Sequence, residues 1–213
     1  MKFLSIKFLF LFSLSCLAAN AKNAVTESMI ASSAEQVRPL MNGQFIPDVI
    51  LQTDYGKDIS LRALIESKPS IVIFYRGGWC PYCNRQMQGL IEVEQRIRDL
   101  GYQIIAISPD TPQRLQAQRT SSEFEVIRLA DNTLQAISAF GLGYFLSDDV
   151  ANDYRDKLGA NLTTLQGTNK VVLPVPAAYV FDTSGLVQFQ YVNPNFRVRV
   201  SPQLLYYAAQ IAK

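Results

Sequence analysis

The feature that most constrains the fold is a repeated alternation of strand and helix patterns between residues 71 and 140. Each apolar run of strand length is followed by a segment whose apolar side chains recur at helical spacing. Strands and helices that alternate in this way form parallel neighbours joined by right-handed crossovers. The predicted strands are 71–75, 102–110 and 124–131, and the predicted helices are 81–100, 111–118 and 132–140.

Antiparallel elements are predicted before and after this region, so the complete pattern is an α/β fold with a central mixed sheet flanked by helices. An N-terminal β-hairpin is its extension, and a second hairpin follows the parallel strands. The other predicted elements are an amphipathic helix over 22–40, the first hairpin over 43–64 with its turn at 55–57, a helix over 147–157, the second hairpin over 177–192 with its turn at 182–185, and a last helix over 201–212. The stretch 141–171 shows no clear strand.

The first 21 residues have the pattern of a secretory signal. Lys2 and Lys7 precede an apolar run over residues 8–17, and a small-x-small triplet ends at Ala21, where we expect cleavage. The run is shorter than the roughly 20 apolar residues of a membrane span. The protein is therefore expected to be exported, to the periplasm or outside the cell. The alternative is a lipoprotein signal in which Cys16 is lipidated. The predicted organisation is 1–21 signal peptide, 22–42 helix and linker, and 43–213 one domain.

Composition excludes several classes of function. Cleavage would remove two lysines and no acid, leaving 18 basic against 18 acidic residues, a balance that does not favour nucleic acid or an anionic membrane surface. The chain has no histidine, which excludes hydrolases with an imidazole base and histidine metal sites. Two thiols are too few for a closed zinc site. No metal or organic cofactor is expected, although a Cu(I) site or a passive scaffold stays open as a non-enzymatic alternative.

Cys80 and Cys83 stand where the strand at 71–75 gives way to a helix, and Pro81 suits the first helical position. A thiol at that junction faces the positive end of the helix dipole, which stabilises the reactive thiolate. Two cysteines three positions apart in a first turn are close enough to form a disulfide. So short a loop adds little stability, so the pair is interpreted as a redox-active dithiol.

Trp79-Cys80-Pro81-Tyr82-Cys83 looks like the active-site motif of thioredoxin-fold oxidoreductases. Its surroundings resemble the peroxiredoxin-like proteins of the alkyl hydroperoxide reductase C/thiol-specific antioxidant family, from Gly43 to the C-terminus. The matching blocks are GQFIPDVILQTDYGKDISL, FYRGGWCPYC, AISPDTPQRLQ and LPVPAAYVFDTSGLVQFQYVNPNF.

The resemblance implies a thioredoxin-like fold and a thiol peroxidase. It would reduce hydrogen peroxide or organic hydroperoxides through a cysteine sulfenic acid and a Cys80–Cys83 disulfide. A thioredoxin-like protein would then restore the dithiol. The second hypothesis keeps the fold but makes the chain a thiol–disulfide oxidoreductase that acts on exported proteins with Cys80 as nucleophile.

Two alignments of the motif are possible. In the peroxiredoxin register the peroxidatic residue is Cys83, with Cys80 at the family's threonine position and Arg76 at its proline position. In the thioredoxin register Cys80 attacks and Cys83 resolves. Both fit the same backbone, so the choice stays open.

The family's later arginine position is occupied by Pro176, which is interpreted as the cis-proline of thioredoxins. Peroxide activation would then depend on Arg76 or on backbone N–H groups. Trp79, Pro81 and Tyr82 are expected to border the site and receive a partner or a peroxide. Arg197 and Arg199 alternate at the end of a strand-like run and could flank the site, but both are assigned to the surface.

Overall fold

A seven-stranded mixed sheet forms the centre of the protein, in a computed structural model that describes residues 24–118 and 125–212. The strands in these ranges are β1 (Ile50–Thr53), β2 (Asp58–Ser60), β3 (Ser70–Phe74), β4 (Gln103–Ser108), β5 (Val126–Ala130), β6 (Gly143–Phe145), β7 (Val172–Pro174), β8 (Ala177–Phe181) and β9 (Val187–Val192). The signal sequence predicted over 1–21, with Cys16, lies outside the described residues.

The strand order is β2-β1-β5-β4-β3-β8-β9. β3, β4 and β5 are parallel, while the hairpins β1–β2 and β8–β9 add antiparallel strands on either side. This confirms the central mixed sheet, the N-terminal hairpin and the second hairpin. β3 lies deep in the sheet and all five of its residues are buried. The site at its carboxyl end is therefore attached to the most enclosed strand.

Helices cover both faces of this sheet. They are α1 (Leu61–Ser67), α2 (Pro81–Asp99), α3 (Pro112–Ala117), α4 (Gln135–Ala139), α5 (Asp148–Leu158) and α6 (Pro202–Ile211). Because successive side chains of a strand point to opposite faces, β3 contributes Val72 and Phe74 to one apolar layer and Ile71 and Ile73 to the other. The first layer packs against α1 and α4, and the second packs against α2 and α6. None of the described helices has the length and apolar character needed to cross a membrane.

The prediction of an amphipathic helix over 22–40 is wrong. From residue 24 onward, this segment forms only two single turns of 3-10 helix, Glu27–Met29 and Ala34–Gln36. Between them, the N–H of Ala31 donates to Gly143 O and its carbonyl accepts from Phe145 N, each at 2.9 Å. The chain therefore takes its hydrogen bonds from β6 rather than from its own next turn.

Three short elements escaped prediction. α1 follows β2 directly and is capped by Ser60, whose hydroxyl accepts from Ala63 N at 3.1 Å. β6 and β7 form a separate two-stranded sheet in a region expected to lack strands. A strand of three residues is too short for an alternating pattern to be recognised.

Candidate active site

Cys80 and Cys83 lie at the start of α2, directly after the loop that leaves β3. Cys80 is the N-cap of α2, Pro81 is its first residue, and the carbonyl of Cys80 accepts from Cys83 N at 3.0 Å. Gly77 shapes the loop with a φ of +134°, and its carbonyl accepts from Cys80 N at 3.2 Å. Both sulfurs are free thiols with side chains only 1% and 0% exposed. The predicted strand–dithiol–helix junction is confirmed.

The two thiols differ in acidity. A hydrogen bond from the Cys83 thiol to the Cys80 sulfur is the main cause that lowers the pKa of Cys80, to about 6. Burial opposes this effect, while the positive charges of Arg76 and Arg199 add to it. Burial raises the pKa of Cys83, and the hydrogen bond it donates raises it further. At neutral pH the pair therefore consists of a Cys80 thiolate and a protonated Cys83, an arrangement suited to nucleophilic attack by Cys80.

Arg199 is the arginine that contacts both sulfurs. Its Nη2 lies 3.4 Å from Cys83 Sγ and 3.9 Å from Cys80 Sγ. The guanidinium is held by two further hydrogen bonds, from Nη1 to Gln86 Oε1 at 3.2 Å and from Nε to Phe196 O at 2.9 Å. The surface assignment of Arg199 is wrong, because the segment after β9 turns back over the start of α2. Arg197 is exposed, as expected.

Arg76 is a second cation at the site, and only 1% of it is exposed. Its guanidinium carbon lies 4.3 Å from the ring centroid of Phe196, 4.7 Å from that of Tyr154 and 5.1 Å from that of Trp79. We call these three rings the aromatic cage. Burial lowers the pKa of Arg76, but the electrostatic effects of nearby Tyr144, Tyr154 and Cys80 outweigh it and raise the pKa. The side chain therefore stays a cation inside the protein.

The remaining predicted residues divide into two groups. Pro81 is exposed and Tyr82 is half-buried beside the thiols, with the Tyr82 ring edge-to-face against Phe196 at 5.6 Å. Pro176, by contrast, follows a trans peptide bond, so the cis-proline interpretation is wrong. The carbonyl of Pro176 accepts from Asn193 N at 3.3 Å. This bond extends the β8–β9 ladder by one residue and keeps the backbone extended there.

A buried carboxylate holds the loop before Cys80 in place. Asp110 accepts hydrogen bonds from Gly78 N at 3.2 Å, from Ser108 Oγ at 3.1 Å and from Gln118 Nε2 at 2.8 Å. The Tyr75 hydroxyl, in turn, donates to Gln118 Oε1 at 3.1 Å. The loop that carries the dithiol is thus fixed by side chains from β4 and from the end of α3.

Sequence reasoning did not assign Arg199, Tyr154 or Phe196 to the site. Arg199 is separated from Cys83 by 116 positions, Tyr154 belongs to a segment with no motif of its own, and Phe196 ends a matching block that says nothing of its contact with Arg76. The one available signal was the alternation Arg197-Val198-Arg199, in which one arginine faces outward and the other faces inward. No group of three cysteine, histidine or acidic side chains suited to a metal ion occurs in the described ranges.

A sequence profile described as the AhpC/TSA family matches residues 42–190. The chain belongs to the AhpC/TSA family. This confirms the resemblance found in the motif blocks. Among similar proteins, "Peroxiredoxin Q, chloroplastic" of Gentiana triflora is 28% identical over 151 residues, which cover 71% of this chain and 58% of that protein. "Putative peroxiredoxin bcp" of Haemophilus influenzae is 28% identical over 106 residues, 50% of this chain and 68% of that protein.

Solved structures of peroxiredoxins share the architecture of this AhpC/TSA chain. Reduced Prx3 from Vibrio vulnificus, crystallised in complex with hydrogen peroxide, superposes with a TM-score of 0.63 at 17% identity, over 80% of this chain and 99% of that one. A likeness at this level of identity concerns the fold alone. It confirms the thioredoxin-like α/β fold.

Proposed function

We propose that this chain is a thiol peroxidase that reduces hydrogen peroxide or organic hydroperoxides, with Cys80 as the attacking residue. The observation that carries the proposal is the pair of buried sulfurs at the start of α2, one acidic and one protonated, with Arg199 in contact with both. Membership of the AhpC/TSA family supports the same chemistry. The geometry favours the thioredoxin register, in which Cys83 is the resolving residue.

The proposed reaction has two steps. The Cys80 thiolate attacks one peroxide oxygen, the O–O bond breaks, and the leaving oxygen takes the proton of the Cys83 thiol. The product alcohol or water departs, and Cys80 is left as a sulfenic acid. The Cys83 thiolate then attacks the Cys80 sulfur and displaces hydroxide, which forms the disulfide. Two electrons pass from the dithiol to the peroxide, and Arg199 is placed to stabilise negative charge at both steps.

Restoration of the dithiol requires an external reductant, for which we propose a thioredoxin-like protein. Such a protein must bring its own sulfur to the Cys80–Cys83 disulfide. Because Cys80 is only 1% exposed in the reduced protein, this step requires movement of the loop before α2. On the sequence of residues 1–21, we also propose that the protein is exported and that its reductant works outside the cytoplasm.

A thiol–disulfide oxidoreductase is the second candidate, supported by the acidic Cys80 at a helix N-cap. The burial of Cys80 favours the peroxidase, because a peroxide is small enough to reach a sulfur that a protein disulfide reaches only after the loop has moved. The two candidate functions share the fold and differ in the substrate that Cys80 attacks first.

Stopped-flow fluorescence separates the two candidates. Trp79 is the only tryptophan of the chain and adjoins Cys80, so its emission is expected to report oxidation of the dithiol. Reduced protein is mixed with hydrogen peroxide, and in parallel with a disulfide-containing protein. A peroxide rate far above that of free cysteine at the same thiolate fraction supports the peroxidase. A rate equal to that of an ordinary thiolate, together with rapid reaction with the protein disulfide, refutes it in favour of the oxidoreductase.

A further inference from the structure

Arg76 is a buried cation without a carboxylate. Within residues 24–118 and 125–212, none of the ion pairs involves Arg76, and its Nε and Nη2 have no hydrogen-bond partner. A buried guanidinium is normally paired with an acid, because burial of a charge without compensation is costly. Here three aromatic rings take the place of the acid, at 4.3–5.1 Å from the guanidinium carbon.

The ring faces attract a cation but do not neutralise it. A carboxylate in the same position would cancel the field of Arg76, and it would add a negative charge beside the thiolate. With the aromatic cage, the positive charge remains available to the nearest anion. Burial raises the pKa of nearby Tyr144, so its phenol carries no charge at pH 7, and among the described groups that act on Arg76 the anion is the Cys80 sulfur.

We propose that Tyr154 and Phe196, together with Trp79, are positioning residues that hold Arg76 as an unneutralised cation beside Cys80, so that the cage maintains the thiolate from a distance. The rings act through Arg76 and not through direct contact with the sulfur. The other groups that face Cys80 are Cys83 and Arg199. Substitutions in the aromatic cage change neither of them. The role of the aromatic cage in peroxide reduction rests on the proposed function.

The positions of the three rings support this role. Trp79 is next to Cys80 on the same loop, Tyr154 comes from α5, and Phe196 comes from the segment that also supplies Arg199. Trp79 and Tyr154 contact each other with ring centroids 5.4 Å apart. Three separate parts of the chain thus converge on one side chain, which fixes the guanidinium without a hydrogen bond to Nε or Nη2.

The test is the pH dependence of alkylation of Cys80 by iodoacetamide, located by tandem mass spectrometry in the full chain carrying Cys83→Ser. Serine keeps a hydroxyl donor and removes the second thiol. We expect Tyr154→Leu and Phe196→Leu each to raise the midpoint, so that alkylation at a pH below the midpoint slows about threefold to tenfold. Phe196→Tyr keeps a ring and is expected to leave the midpoint unchanged, whereas Tyr154→Phe keeps the ring but removes the hydroxyl that hydrogen-bonds Arg76, so it measures the ring by itself. Tyr207→Leu, which removes an exposed ring on α6, is the matched control.

A double-mutant cycle decides whether the rings act through the arginine. In an Arg76→Met background, Phe196→Leu is expected to have no further effect on the midpoint. An unchanged midpoint in both leucine variants overturns the proposal, and so does an equal rise with and without Arg76. Urea unfolding of each variant verifies that it is folded, and the phenylalanine and tyrosine variants remain informative if a leucine variant is not. The measurement uses no peroxide, so a slow peroxide reaction would refute the peroxidase and leave this result standing.

Discussion

Replacement of Arg199 by methionine removes a cation that contacts both sulfurs while keeping a side chain of similar length. Its Nη2 lies 3.9 Å from Cys80 Sγ. A unit charge at this distance contributes about 4 kcal/mol at an effective dielectric constant of about 20. Solvation of the half-buried arginine reduces that figure, and neighbouring opposite charges typically shift a pKa by about 1 to 3.

Arg199 is the smallest of the causes that lower the pKa of Cys80 to about 6, so we expect a rise of about 1, which reduces the thiolate fraction at pH 7 about twofold. The assay is alkylation of Cys80 by iodoacetamide between pH 5 and pH 10, with each cysteine resolved by tandem mass spectrometry. We expect Arg199→Met to move the midpoint to about 7. At pH values above both midpoints the alkylation rate should be restored, because the thiolate then forms without the arginine.

Arg197→Met is the matched control, because Arg197 is exposed two residues away. It is expected to leave the midpoint where it is. The reasoning is refuted if Arg199→Met has the midpoint of the unmodified protein. If the reaction with peroxide nevertheless slows in that variant, Arg199 acts on the peroxide oxygen and not on the thiolate.

Three further results are expected, each measured by urea unfolding. Arg76→Met is expected to stabilise the oxidised protein by about 1–3 kcal/mol, because oxidation removes the neighbouring anion and leaves only neutral aromatic partners to offset the burial of the guanidinium; an unchanged or lower stability would contradict this. The folded pKa of Cys80, about 6, lies below the value of about 8.5 for a free cysteine. The thiolate's contribution to stability is therefore complete above pH 8.5 and is lost as the pH falls through 6. This contribution is at most about 3 kcal/mol, and Cys80→Ser should remove it from the pH dependence of the reduced protein. Gly141→Ala is expected to cost more than Gly159→Ala. Both glycines have positive φ, +64° and +60°, but the new Cβ at 141 would overlap the carbonyl oxygen of Arg38, whereas no atom lies within 4 Å at 159. Equal losses of about 1–2 kcal/mol in the two alanine variants would show that only the left-handed backbone matters.

The central sheet and the dithiol junction were predictable because their signals are local. The buried run at β3 has a strand's length and composition, and Pro81 marks the first position of α2. Each of these features is contained within a few residues. The pattern of the chain therefore identified both the fold and the place of the two cysteines before any long-range contact was known.

The electrostatic surroundings of the thiols depend on contacts that no local pattern encodes. Arg199 reaches Cys83 across 116 positions, and Tyr154 reaches Arg76 from a surface helix. The expectation of a cis-proline at Pro176 failed for a related reason. That residue continues the backbone pairing of β8 with β9, and this pairing is decided by the sheet and not by the neighbouring sequence.

The N-terminal segment shows how a tertiary contact overrides a helical pattern. Its apolar residues recur at helical spacing, yet Ile30 is buried while Met29 and Met41 remain about half exposed, at 48% and 54%. Backbone pairing of Ala31 with β6 satisfies hydrogen bonds that a helix would have made internally. Packing against β6 therefore stabilises this segment more than its own helical turns would.

The most direct test of the account is to identify the sulfur that a peroxide oxidises first. One equivalent of hydrogen peroxide is added to reduced Cys83→Ser and to reduced Cys80→Ser, each in the presence of dimedone, and the labelled residue is located by tandem mass spectrometry. We expect rapid sulfenic acid formation on Cys80 in the Cys83→Ser variant and none on Cys83 in the Cys80→Ser variant. Rapid labelling of Cys83 with an unreactive Cys80 would establish the peroxiredoxin register and contradict the assignment of Cys80 as nucleophile.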